Sequence, residues 1–193
     1  MAEPAEQQRM TLTEFLDWDD GTDTRYELID GQVVAMAPPC DAHGTIVMNL
    51  GFALGPSLKA PCRMVASAGI TRAERDDSFY VADLAVTCDE PAGQRPFLPE
   101  PRLIIAVLSR STAAHDRGRK GEDYRRIASV QEILFVSSDE RRAVLWRRES
   151  QRWVIEDFIG EASVRLPSVG ALIPLTAVYA NVGFSDAAAE QAG

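Results

Sequence analysis

Residues Pro101–Arg126 read PRLIIAVLSRSTAAHDRGRKGEDYRR. Leu103–Leu108 is a run of branched apolar residues, too short for a globular helix and rich enough in Ile and Val for a strand buried on both faces. A polar loop follows, Ser109-Arg110-Ser111-Thr112. Beyond it Asp116, Lys120 and Tyr124 recur at i, i+4 steps, which puts an acid, a base and a phenol on one helix face. A buried strand that hands over to a short loop and a helix is a unit of α/β architecture, and enzymes of that class build sites at such strand ends. This strand brings no carboxylate of its own, because Ala106 stands in its middle.

Working outward, the pattern alternates between sheet and helix. Thr11-Leu12-Thr13-Glu14 has the form of a capping box and predicts a short helix to about Trp18. Glu27–Met36, ELIDGQVVAM, reads as a hairpin turning on Asp30-Gly31, since that dipeptide supplies the positive φ angles of a type I′ turn. Ile46, Leu50, Leu54 and Leu58 predict a helix from His43, with Gly55-Pro56 able to end or kink it early. Arg63–Arg72 and Phe79–Cys88 alternate as strands, the second with Ala82, Leu84, Val86 and Cys88 on one face and Val81, Asp83, Ala85 and Thr87 on the other. Asp89–Pro101 carries four prolines and reads as loop. Strands are expected near Glu132–Val136, Ala143–Arg147 and Trp153–Phe158, and a last short helix in IPLTAVYANV with Pro174 near its start. Residues 1–9 and 185–193 read as flexible tails around a single domain over 10–184. No repeat or linker divides it, so one mixed sheet with helices on its faces is the economical α/β (α+β) architecture.

Composition excludes several classes. The chain has 193 residues and is 46% hydrophobic, which suits one globular domain. No apolar window approaches a membrane span, and the N-terminus lacks the apolar core of a secretory signal. Cys40, Cys62 and Cys88 are odd in number and widely spaced, which predicts free thiols and a cytoplasmic protein. The net charge of −9 is a poor overall field for nucleic acid. Arg110, Arg117, Arg119, Lys120, Arg125 and Arg126 form the densest basic cluster, read first as a solvated helix face and second as a phosphate-binding surface.

Among single residues Asp83 stands out: a carboxylate on an apolar face of an interior strand is costly unless donors or a cation satisfy it, or unless the strand ends there. Glu27 could equally pair with a neighbouring Arg at the surface, and Asp116 could cap the helix it begins. Cys40 and His43 form Cys-x-x-His with no second pair at zinc spacing, so a zinc site is not expected. There is no Walker loop, no Gly-x-Ser-x-Gly and no Gly-x-Gly-x-x-Gly. Trp18, Trp146 and Trp153 read as packing anchors.

Taken as an ordered set, Arg25-Tyr26-Glu27-Leu28-Ile29-Asp30-Gly31, Pro38-Pro39, His43, Ala82-Asp83-Leu84-Ala85-Val86, Val107-Leu108-Ser109, Ser111-Thr112, Asp116, Lys120 and Tyr124 resemble the Uma2 family, the DUF820 group of restriction-endonuclease-like proteins. The resemblance runs from about Leu12 to Phe184. It implies a PD-(D/E)xK nuclease core, and with it Mg²⁺- or Mn²⁺-dependent hydrolysis of DNA phosphodiesters. It further implies Asp83, Lys120 and Glu27 as catalytic residues, Asp83 and Glu27 as metal ligands, and Tyr124, His43 and Asp116 as accessory positions. DNA is the implied partner, and a homodimer is left open. Three departures matter: Ala82 replaces a proline, Arg110 replaces another, and Ala106 occupies the position of an expected glutamate ligand. Weak metal binding and weakened cleavage are therefore expected. The alternative is a catalytically degenerate member that acts as a nucleic-acid-binding or protein-interaction module.

Overall fold

The computed structural model describes residues 9–91, 93–109 and 116–184, with only the backbone of Asp116. Arg110, Ser111, Thr112 and His115 lie outside the described residues, as do the expected tails except for Arg9. Helix α1 spans Leu12–Asp17, and Thr11 and Glu14 close the capping box reciprocally. Strands β1 (Tyr26–Ile29) and β2 (Gln32–Ala35) form the hairpin, with φ of 51° at Asp30 and 78° at Gly31. Helix α2 runs Asp41–Leu54 from an N-cap at Cys40, and a 3-10 turn at Gly55–Ser57 ends it, as the Gly-Pro pair predicts.

Six strands make the main sheet: β3 (Arg63–Ile70), β4 (Tyr80–Thr87), β5 (Pro101–Leu108), β6 (Glu132–Ser137), β7 (Arg142–Glu149) and β8 (Arg152–Ile159), side by side in chain order. Only β5 and β6 are parallel. Their crossover holds a five-residue π-helical turn, Asp116–Lys120, which runs into α3 (Gly121–Arg126). This is the mixed sheet with flanking helices that the pattern predicts. A second small sheet, β9 (Ser163–Leu166) with β10 (Ala171–Pro174), leads into α4 (Leu175–Val178). That pair escaped the sequence reading, which took Ile173 and Pro174 into the last helix; each strand is only four residues long, too short for alternation to register.

The sheet is covered on both faces. One core unites Ile46, Leu50 and Leu54 of α2 with Leu84, Val86, Leu103 and Ile105 and with the β9–β10–α4 layer. The other unites Tyr80, Ala82, Ala85, Ile104, Ala106 and Leu108 with Tyr124 and Phe135. The simple alternation expected for β4 therefore breaks at Asp83, because Ala82 and Leu84 fall in different cores. Ser67, at the level of Asp83 on the neighbouring strand, has φ of 49°, a local distortion that lets the strand turn over.

The cysteine expectation is overturned. Cys62 and Cys88 form a disulfide, with their Cα atoms 3.7 Å apart. The reason is register: Arg63 pairs with Thr87, so the residues just outside that pair face one another. Spacing along the chain cannot reveal a cross-strand register, and the thiol argument for a reducing compartment falls with it. Cys40 is free and exposed.

Two stability tests follow from this packing. Reducing the disulfide, which spans 26 residues of chain, should lower unfolding free energy by roughly 3 kcal/mol on loop-closure grounds, read from urea titrations with and without reductant. At Gly121 an added Cβ would lie 2.7 Å from the Trp146 ring. Gly121→Ala should cost about 1–3 kcal/mol through overpacking, and an unchanged urea midpoint would refute that tight contact.

Candidate functional site

The site grows from a place where two strands part. The β4–β5 register runs from Thr87↔Pro101 to Leu84↔Ile105 and ends there. On its other side β5 stays paired with β6 as far as Leu108↔Ser137. Past Leu84 the backbone groups of β5 that face β4 need another partner, since a buried unpaired amide is costly. Asp83 supplies it: its Oδ2 accepts the Val107 N–H at 2.7 Å. Its Oδ1 lies 3.0 Å from His43 Nε2, on the third residue of α2. Asp83 is 23% exposed, so it is neither deeply buried nor an ordinary surface acid.

Glu27 reaches the same strand from the hairpin. Leu28 and Phe79 exchange backbone hydrogen bonds of 2.9 and 2.8 Å, which hangs β1 on the chain just ahead of β4. Glu27 Oε1 then accepts the Val81 N–H at 2.9 Å, and Oε2 lies 2.8 Å from Lys120 Nζ. Both side chains are largely withdrawn from solvent, Lys120 being 12% exposed. Val81 and Asp83 are two residues apart, so Glu27 and Asp83 address one short stretch of β4, each with a basic partner.

Lys120 owes its position to a tightly held helix. Gly121 packs under Trp146 with no room for a side chain. Asp123 is buried and accepts from Arg72 at 2.8 Å and from the Tyr80 hydroxyl at 2.6 Å. Burial first, and the Asp123 carboxylate second, hold the Tyr80 phenol well above its ordinary pKa, so it remains a donor. Tyr124 is buried with its ring edge-on to Tyr80, centroids 5.7 Å apart. Arg72, Asp123 and Tyr80 were not singled out from the sequence. Their partners lie 43 and 51 residues apart along the chain, and the only local signal is Asp123 three residues after Lys120.

Ala106 is 8% exposed and packs in the same core as Tyr80, Ala82, Tyr124 and Phe135. The position where a glutamate is expected is thus walled by rings and methyl groups. Asp116 lies in the π-helical turn, and its side chain is outside the described residues.

The donor set can be compared with what Mg²⁺ requires, namely near-octahedral oxygen ligation through one or two carboxylates plus waters and phosphate oxygens. Both oxygens of Asp83 and both of Glu27 are engaged by protein donors. Among the described residues no group of three or more His, Cys, Asp or Glu is arranged to hold a metal ion. Among the described residues a divalent cation would therefore have to compete with protein donors for every oxygen of Asp83 and Glu27. Three members of the basic cluster are paired with acids: Arg119 with Asp30, Lys120 with Glu27, and Arg125 with Glu122 while lying over Trp146. No helix among the described residues is long and apolar enough to cross a membrane.

With this geometry in view, comparison with known proteins is informative. The chain is 27% identical to the uncharacterized protein slr1290 of Synechocystis sp. over 91% of its own length and 94% of the relative's. It is also 27% identical to the uncharacterized protein sll1609 of the same organism, over 79% and 89% respectively. Its fold matches the crystal structure of a putative nuclease belonging to DUF820 from Anabaena variabilis, with a TM-score of 0.65 and 20% identity. That match covers 88% of this chain and 97% of the other. Residues 12–176 match the family model of Uma2, described as a putative restriction endonuclease. The chain therefore belongs to the Uma2 family.

Proposed function

We propose that this Uma2 chain has kept a nuclease scaffold for DNA and lost efficient cutting, so that it acts as a nucleic-acid-binding module with phosphodiester hydrolysis near background. Family and fold support the nuclease lineage and DNA as the class of partner. One observation carries the loss: Ala106 fills the expected ligand position inside an apolar core, while both oxygens of Asp83 are tied to Val107 and His43. A methyl group cannot bind a cation, and a reacting centre displaced by ~1 Å can lose ~10²-fold in rate.

The second reading is a weakened Mg²⁺- or Mn²⁺-dependent endonuclease using Asp83, Lys120 and Glu27. Its favouring observation is that these three residues still converge on one stretch of β4. It requires another acid to replace the missing one, and Glu27 and Asp116 are the candidates.

A supercoiled-plasmid nicking assay with Mg²⁺ or Mn²⁺ separates the two readings. The wild type should cut no faster than a blank, yet shift a DNA duplex in a chelator-containing gel, with affinity falling as salt rises. Ala106→Glu should gain metal-dependent nicking, and Asp83→Asn in that background should remove it. Wild-type cleavage abolished by Asp83→Ala and Lys120→Ala would establish the second reading instead. A wild type that neither binds nor cuts DNA defeats both. Separately, Asp83→Ala should cost about 1–3 kcal/mol of stability by leaving the Val107 N–H without its acceptor, whereas Asp83→Asn retains an acceptor oxygen and should cost less in urea unfolding.

A further inference from the structure

Arg25 opens the same extended segment that delivers Glu27, and it too reaches the main sheet. The Met36 N–H donates to the Arg25 carbonyl at 2.8 Å, which carries the hairpin pairing one step beyond Tyr26. Alternate side chains of an extended chain share a face, so Arg25 and Glu27 leave the hairpin on the same side. Glu27 meets Val81 of β4, and Arg25 Nη1 donates to Ser67 Oγ of β3 at 3.0 Å. Ser67 lies between the pairs Ala66↔Leu84 and Ala68↔Ala82, at the level of Asp83 on the adjoining strand. Adjoining strands are about 5 Å apart, so the Arg25 guanidinium sits beside the stretch of sheet that carries Asp83.

Arg25 differs from the other cations of this region in what holds it. Lys120 is paired with Glu27, Arg119 with Asp30 and Arg72 with Asp123. Arg25 is exposed, and among the described residues no acid forms an ion pair with it. Asp23 stands two residues away without pairing, and Asp20 is held by the Tyr26 hydroxyl. Tyr26 points to the opposite side of the strand from Arg25. A guanidinium carries five N–H donors in a planar fork. The Nη1 bond to Ser67 leaves the Nε–Nη2 edge, which can grip a phosphate through two parallel hydrogen bonds. Ser67 has φ of 49°, an uncommon backbone for a residue with a side chain. Its neutral hydroxyl orients the fork without cancelling the charge.

We propose that Arg25 binds one backbone phosphate of DNA beside Asp83, with Ser67 as the positioning residue that orients it, a role that rests on the reading of this chain as a DNA-binding module. A chain of net charge −9 repels a polyanion at long range. Its hold on DNA must come from local cations whose charge no acid already offsets. Arg25 is such a cation, and the hairpin brings it to the level of Asp83.

The test is fluorescence anisotropy of a labelled DNA duplex titrated with the full chain in chelator-containing buffer, repeated over a series of salt concentrations. Arg25→Gln should weaken binding about 10-fold and make the slope of log affinity against log salt shallower by ~0.9, the share of one phosphate. Its thermal unfolding should match the wild type, because the side chain is exposed. Arg165→Gln removes the same charge from an exposed position in β9 and should leave affinity and slope near wild type. Arg25→Lys should restore the slope but not the full affinity, since an ammonium cannot make the bidentate contact. Ser67→Ala should weaken binding less than Arg25→Gln, keep the wild-type slope, and add nothing in the Arg25→Gln background. An Arg25→Gln protein with wild-type affinity and slope overturns the role of Arg25 and leaves DNA binding standing. Equal losses in Arg25→Gln and Arg165→Gln, the mark of net charge alone, overturn it too. A Ser67→Ala loss that adds fully to that of Arg25→Gln removes Ser67 from its positioning role. A wild type that binds no DNA defeats the DNA-binding reading and this role together.

Discussion

The hydrogen bond from the Val107 amide to the Asp83 carboxylate stands where a rung of the sheet would otherwise be. Strands β4 and β5 pair from Thr87 to Leu84, with one register shift between Val86 and Thr87, and then separate. A parting of strands in the interior leaves amides without partners, and each such group weakens the fold unless something polar enters. A side-chain oxygen enters here, brought by a residue of the departing strand itself. The same oxygen pair meets His43 on α2, so one carboxylate joins both strands and the helix above them. The site and the sheet are consequently not separable, and the acid carries a structural duty whatever its chemical one.

Charge is handled in the same local manner around the site. Glu27 with Lys120, Asp123 with Arg72, and Asp30 with Arg75 and Arg119 are each close pairs at the end of the sheet where β1 meets β4. Such pairing satisfies groups withdrawn from water.

Much of the architecture was legible because local chemistry and global fold agree. Asp30-Gly31 forms its turn, Thr11 and Glu14 cap their helix, and Leu103–Leu108 is the buried strand its composition implies. Lys120 and Tyr124 follow in the helix after it. What remained hidden depended on register and on distant contacts. The alternation of β4 breaks at Asp83, at the level of a left-handed Ser67 on the neighbouring strand. Arg72 meets Asp123 only through the crossover, and Cys62 meets Cys88 only through strand pairing. The role of His43 at Asp83 was available only as one of several options for a residue near a helix start.

The disulfide lies just beyond the Thr87 end of β4, and Asp83 stands in the middle of the strand. The Thr87 end of the β3–β4 pair is thus joined covalently, while its Tyr80 end is held by hydrogen bonds alone, including those of Leu28 with Phe79 and of Val81 with Glu27.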